Sequence, residues 1–191
     1  MIGILLAAGQ GLRFDPQRRQ NKLLQVLPNG QTVAEASARA LCAALPRVLA
    51  VVRDPQGPLA DCLQRAGCEL VACPNAVLGM GASLVCGIRA SRYAHGWLVA
   101  LADMPFVQGA TLRALQQAIE RGADIAAPFC QGRRGNPVAF GAAHRDRLLQ
   151  VQGDAGARAL LRHWAVEHVM VADPGIFRDI DTPRDLLRGN P

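Results

Sequence analysis

Aromatic residues are scarce, at 4% of 191 residues. A core built from this chain must be aliphatic, filled mostly by Ala, Leu and Val. The six cysteines, at 42, 62, 68, 73, 86 and 130, contain no C-x-x-C pair. That removes zinc ribbons and dithiol redox motifs. Several lie in apolar stretches, such as Leu-Cys-Ala at Cys42 and Val-Cys-Gly at Cys86, and read as reduced, half-buried thiols. A metal site from Cys62, Cys68 and Cys73 is the remote alternative. The histidines at 95, 144, 163 and 168 lack ligand spacing and read as structural or exposed. No apolar run approaches the roughly 20 residues of a bilayer span. The N-terminus has no basic region ahead of its short apolar run, unlike a signal peptide. A cytoplasmic protein with no membrane partner is expected.

What is present is an ordinary globular balance, 50% hydrophobic and 19% charged. The length suits a single domain spanning 1–191. A net charge of +6 admits either nucleic acid or a small anionic ligand. The basic residues are spread out, and the densest runs are Arg18-Arg19 and Arg133-Arg134. No aromatics interleave with them. The reading favours a small anion and no nucleic-acid partner. Trp97 and Trp164 read as packing residues rather than platforms for bases.

Strand-like and helical segments alternate. Residues 2–7 form a continuous apolar run, as in a strand covered on both faces. Residues 32–44 read as a helix opened by a capping box from Thr32 to Glu35 and stopped by Pro46. Strands are expected at 48–52, 69–72, 97–101, 125–128, 138–141 and 166–171. Helices are expected at 59–66, 82–90, 110–120 and 155–163, with a last one starting at Thr182-Pro183. This rhythm predicts an α/β fold, a Rossmann-like three-layer α/β/α sandwich on a mostly parallel sheet. Such sheets bind ligands beyond the C-terminal ends of their strands.

The first such end reads Leu6-Ala7-Ala8-Gly9-Gln10-Gly11-Leu12-Arg13, with Lys22 beyond it. Small residues let backbone N–H groups approach a phosphate, and the two cations can neutralise it. No Walker A string exists, and Gly9-x-Gly11 is followed by Phe14 rather than by the third glycine of a dinucleotide fingerprint. Strand 97–101 leads to Asp103-Met104-Pro105, a single carboxylate suited to Mg²⁺ or to a helix cap. Alternation about Ile180 would put Asp179 and Asp181 on one side of a short strand. Two further glycine turns contain Asn75, Gly79, Gly81 and Ser83, and Arg134-Gly135-Asn136; a third runs from Gly153 to Arg158.

Taken in order, these strings resemble the MobA-like NTP transferases, which include the molybdenum cofactor cytidylyl- and guanylyltransferases. The resemblance runs from Leu6 to Leu186. The first loop departs from the common Met-Gly after the arginine, where this chain has Phe14-Asp15. The resemblance implies a fold like that of the nucleotide-diphospho-sugar transferases. It implies an NTP held by Leu6, Ala7, Ala8, Gly9, Gln10, Gly11, Arg13 and Lys22. Asn75, Gly79, Gly81 and Ser83 would contact the nucleoside. Asp103 and Asp181 would hold Mg²⁺, and Arg134, Asn136 and Arg158 would bind the acceptor. Arg13, Lys22 and Asp103 would carry catalysis. An acceptor phosphate would attack the α-phosphorus in line and expel pyrophosphate. Such a phosphate is largely ionised near neutral pH, so no general base is required. The implied acceptor is molybdopterin. CTP is favoured because Ala7-Ala8-Gly9 resembles the cytidylyl branch, whereas the guanylyl branch more often has Ala-Gly-Gly. A molybdoenzyme or its maturation chaperone is the implied protein partner. GTP, a sugar phosphate acceptor, and a non-catalytic cofactor chaperone are the alternatives.

Overall fold

The computed structural model describes residues 1–17, 19–153, 157 and 160–187. Five strands follow the expected alternation: β1 (Ile2–Leu6), β2 (Val48–Val52), β3 (Glu69–Ala72), β4 (Gly96–Leu101) and β5 (Ile125–Cys130). Between them run α1 (Val33–Ala44), α2 (Pro58–Arg65), α3 (Met80–Ala90) and α4 (Gly109–Glu120). With β6 (Arg133–Arg134) and β7 (Val138–Gly141), the sheet order is β3-β2-β1-β4-β7-β5-β6, and β8 (Glu167–Met170) lies parallel to β5. Every residue of β2 is buried, which explains its unbroken apolar run.

Side chains alternate across the sheet and build two cores. Leu5, Ala50, Leu98 and Ala100 face α1, α2 and α4 through Leu41, Leu63, Leu112 and Leu115. Ile4, Val51, Trp97, Val99 and Phe140 face the other way, onto Leu84 and Ile88 of α3 and Leu148 of α5 (Arg145–Leu148). The result is the three-layer α/β/α sandwich. Trp97 is wholly buried and donates from its indole N–H to Ser91 Oγ at 3.0 Å.

The sheet is mostly parallel, as expected, and its antiparallel pairings are confined to β7 and β6. β7 (Val138–Gly141) lies between β4 and β5, antiparallel to both. The intervening stretch 131–137 is too short for a parallel crossover, which takes about a dozen residues or more. It turns instead through Gln131 and Gly132, both at positive φ, into the two-residue β6 (Arg133–Arg134). The reversal matters for function. It brings the start of β7, with Asn136 before it, to the edge where β1 and β4 end.

Three local expectations change. Thr32 caps α1 by accepting from Glu35 N at 3.1 Å, but the Glu35 carboxylate takes the Arg39 guanidinium at 2.8 Å. Within the expected helix 155–163, α6 (Leu160–His163) is seen; 154–156, 158 and 159 lie outside the described residues. Residues 178–181 form no strand. Ile180 is buried and donates its N–H to Asp103 O at 2.8 Å. The final helix α7 (Pro183–Leu186) begins as expected, with a full capping box between Thr182 and Asp185.

Asp173 anchors the chain's last part. It is 1% exposed and accepts from Thr111 Oγ1 at 2.6 Å, Gln108 N at 2.9 Å and Gly175 N at 2.9 Å. It thereby ties residues 173–181 to the start of α4, just after Asp103. A Cβ on Gly175 would lie 2.0 Å from Phe106 O, so backbone must move to admit any side chain there. Asp173→Ala leaves buried donors unpaired, at about 1–3 kcal/mol. Its melting temperature should fall several degrees, and activity should fall with it although Asp173 does not line the cleft.

His144 is 1% exposed, and its ring meets Trp164 edge-on at 5.3 Å. Its Nδ1 has no hydrogen-bond partner among the described residues. Burial, helped by the Arg147 charge and opposed by Asp124, holds the imidazole below the ordinary histidine range. The unfolded chain then takes up the proton first as pH falls. Stability from this group is complete above the unfolded value of about 6.5 and declines below it. The melting temperature should drop on going from about pH 7 to about pH 5, more in the wild type than in His144→Phe.

Candidate active site

The first loop is set by two anchors. Ala7 N donates to Val51 O at 2.9 Å, continuing the sheet, and Phe14 is buried in the core below α1. Between them Gly9 is exposed and Gly11 sits at φ 63°, the left-handed region that a side chain resists. Asp15 accepts the backbone N–H groups of Gln17, Arg19 and Gln20 at 2.7–2.9 Å. Phe14-Asp15 is therefore a built-in clamp: the ring fixes the loop to the core and the carboxylate gathers its far side. Lys22 then opens a 3-10 turn, Lys22–Leu24, capped by Asn21 and seated by buried Leu23.

The three charged elements converge. Lys22 Nζ donates to Asp103 Oδ2 at 2.6 Å and to Asp181 Oδ1 at 3.1 Å. Arg13 Nη1 donates to Asp181 Oδ2 at 2.7 Å. Burial alone would push the Lys22 ammonium down, but the Asp103 and Asp181 carboxylates outweigh it and hold it above the lysine range. Burial would raise Asp181, yet Lys22 and Arg13 keep it below the carboxylate range. Asp179 is pushed up by burial and by the nearby Asp181 and Asp103 charges. The sequence reading paired Asp179 with Asp181 but gave it no role, and its proximity becomes visible only in three dimensions.

A divalent cation fits this donor set. Asp103 Oδ1 is buried and accepts no hydrogen bond among the described residues. Two carboxylates, with phosphate oxygens and water completing the shell, suit Mg²⁺. No cluster of three or more His, Cys, Asp or Glu side chains forms a metal cage among the described residues. Cys62, Cys68 and Cys73 are not gathered: Cys68 meets Cys42 at 3.7 Å, and Cys73 meets Cys86 at 2.8 Å.

The second glycine turn divides its labour. Asn75 is exposed, within the 3-10 segment Pro74–Leu78. Gly79 adopts φ 112° and ψ 176°, a conformation essentially reserved to glycine, and starts α3. Gly81 lies against another segment: its N–H donates to Gly153 O at 2.9 Å, and a Cβ would meet that same oxygen at 2.9 Å. Ser83 is buried beside Cys73. These two pack the loop, while Asn75 and Gly79 stay near the surface.

On the acceptor side, Arg134 is exposed and Asn136 half-buried, with its N–H donating to Ile176 O at 3.0 Å. Arg158 lies outside the described residues. Asn136, Leu6, Met80, Leu101 and Phe140 line a small apolar recess at the same strand edge. The sequence carried no signal for this recess, because its walls come from strands that are distant in the chain.

Residues 3–169 match the MobA-like NTP transferase domain. The chain is 30% identical over 200 positions to nicotine blue oxidoreductase of Paenarthrobacter nicotinovorans, covering 98% of this chain and 95% of that protein. A nucleotidyl transferase from Methanothermobacter thermautotroptrophicus superposes with a TM-score of 0.82 at 26% identity, over 98% of this chain and 94% of that one. Rv0371C of Mycobacterium tuberculosis, solved in complex with manganese, gives 0.73 at 24% identity, over 98% and 96%; at that identity the likeness speaks for the fold. The first loop, the converging charges and these matches agree, and the chain belongs to the MobA-like NTP transferase domain family.

Proposed function

We propose that this protein transfers CMP from CTP to the phosphate of molybdopterin, with Mg²⁺, releasing pyrophosphate. One observation carries the reading: Lys22 and Arg13 converge on Asp103 and Asp181 beside a glycine loop at the carboxyl edge of the sheet. Two cations there suit a polyphosphate, and two carboxylates suit the ion that accompanies it. Mg²⁺ held by Asp103 and Asp181 would supply charge neutralisation at the phosphates.

The chain's own residues do the remaining work. The open backbone at Gly9 would admit phosphate oxygens closely. Lys22 and Arg13 oppose charge that grows on the departing pyrophosphate, where fixed cations count most. Arg134 and Asn136 would orient the acceptor, and the apolar recess beside Asn136 would receive a planar ring system. Arg158 would join them. An ionised phosphate needs no base, and none of the site residues is asked to move a proton. Alignment of attacking and leaving oxygens is then the main contribution. The preference for CTP rests on Ala7-Ala8-Gly9; GTP on the same acceptor, or a sugar phosphate acceptor, are the readings next to it. A molybdoenzyme or its maturation chaperone would receive the product.

Nicotine blue oxidoreductase supplies the specific observation for a second reading, since it matches this chain nearly end to end. A hydride-transfer enzyme could use the same loop for a dinucleotide pyrophosphate. It would have no need of a carboxylate pair for a metal.

Pyrophosphate release should require molybdopterin, Mg²⁺ and CTP. A preference for GTP would move the protein to guanylyl transfer. Asp103→Ala should lower the rate by about 1,000-fold or more while leaving the fold intact, and Lys22→Ala by about 100-fold or more. Wild-type turnover in Asp103→Ala would remove that residue from the metal site. Oxidation of NADH or NADPH by an organic electron acceptor, unchanged in Asp103→Ala and with no pyrophosphate from any NTP, would replace transfer by the second reading.

A further inference from the structure

Three of the four oxygens of Asp103 and Asp181 are engaged by the two cations, and the fourth, Asp103 Oδ1, is buried without a partner among the described residues. The groups suited to a triphosphate are thus neutralised by the groups suited to a metal. We propose that Lys22 stands in for the divalent cation in the nucleotide-free protein, so that metal and triphosphate bind as a coupled pair and each binds poorly alone. This rests on the nucleotidyltransferase reading and adds to it a control on how the site is loaded.

The burial of the three side chains gives the coupling its strength. The side chains are only 13% exposed at Lys22, 21% at Asp103 and 30% at Asp181. Charges in so shielded a position are costly to leave unpaired. A metal arriving alone must eject the ammonium from both carboxylates and leave it beside a dication, with Asp179 the one other carboxylate described near it. A triphosphate arriving alone must draw the ammonium away and leave two bare carboxylates. When both arrive, every charge finds a new partner: the carboxylates keep a cation, and Lys22 and Arg13 turn to phosphate oxygens.

Local structure allows that exchange. The Lys22 backbone is fixed by the Asn21 cap and by buried Leu23. Its stem passes alongside Gly11, with Cγ 3.6 Å from where a Gly11 Cβ would lie. A flexible four-carbon stem can therefore swing its ammonium from the carboxylates toward the loop without moving the backbone. Arg13 is 82% exposed and equally free to turn. Coupling of this kind is reciprocal, so each ligand must tighten the other by the same factor.

The test uses Mn²⁺ as the probe, with binding read by electron paramagnetic resonance and melting temperature read in parallel, without nucleotide. Wild-type protein should bind Mn²⁺ weakly and melt at nearly the same temperature with or without it. Lys22→Met should melt lower when metal-free, bind Mn²⁺ at least tenfold more tightly than wild type, and recover its melting temperature on adding it. Lys22→Gln serves as the second variant if the first does not fold. Arg13→Met removes an equal charge but leaves Lys22 bridging, so its gain in Mn²⁺ affinity should be much smaller. Equal Mn²⁺ affinity in wild type and the Lys22 variants overturns the proposal. So does an equal gain in Arg13→Met, because net charge alone then accounts for the effect. Mn²⁺ behaviour as expected with no pyrophosphate release from any NTP would keep the placeholder role and discard nucleotidyl transfer.

Discussion

A single ammonium between two carboxylates joins the beginning, the middle and the end of this chain. Lys22 follows β1, Asp103 follows β4, and Asp181 lies beyond the last strand, yet all three meet within hydrogen-bond distance. Half-buried charges of one sign cannot gather without the other. The contact therefore constrains more than the site itself. The stretch carrying Asp181 must be held against β4, and Asp173, Gly175 and Ile180 do so through buried hydrogen bonds and close backbone contact. A binding cleft is completed by a segment whose own packing looks purely structural.

The sheet explains why these groups share an edge. β1, β2, β3 and β4 are parallel neighbours, so the turns that leave them open on the same side. β7 runs against β4, so its beginning rather than its end reaches that side, bringing Asn136 opposite the turn after Leu101. The residues proposed for nucleotide and for acceptor thus come from opposite ends of neighbouring strands. Parallel strands alone would have sent Asn136 to the far edge.

Much of this was legible in the sequence, and the exceptions have physical causes. Buried strands announce themselves as apolar runs, and helix starts at Thr32 and Thr182 as capping residues. Arg13, Lys22, Asp103 and Asp181 were singled out by the family resemblance of their strings, and the structure brings their side chains together. Gly81 and Ser83 show the limit. A glycine required for close packing and one required for a ligand look identical in sequence, and only the oxygen of Gly153 facing Gly81 separates them. Asp173 was missed for the converse reason: a lone aspartate ahead of Pro174 looks like a turn residue until Thr111 and Gln108 are seen to converge on it. The direction of β7 was recoverable from loop length, although residues 138–141 read only as a strand.

The same electrostatics bears on how one fold serves relatives with different names. The phosphate recognition proposed for Gly9, Gly11, Arg13 and Lys22 does not distinguish triphosphates from dinucleotides, which share the phosphate. Recognition of that kind does not choose a reaction. The choice lies with what faces the phosphates across the cleft. Asp103 and Asp181 bring negative charge to a place where a phosphate ligand would otherwise be repelled, and that arrangement is tolerable only with a compensating cation. In the free protein the compensation is Lys22. On the proposed reading, once Lys22 turns to a ligand a second cation takes over, and chemistry at this cleft is then tied to an ion that the carboxylates can hold. A protein with this loop but without the carboxylate pair would bind phosphate just as well and would be free of that requirement.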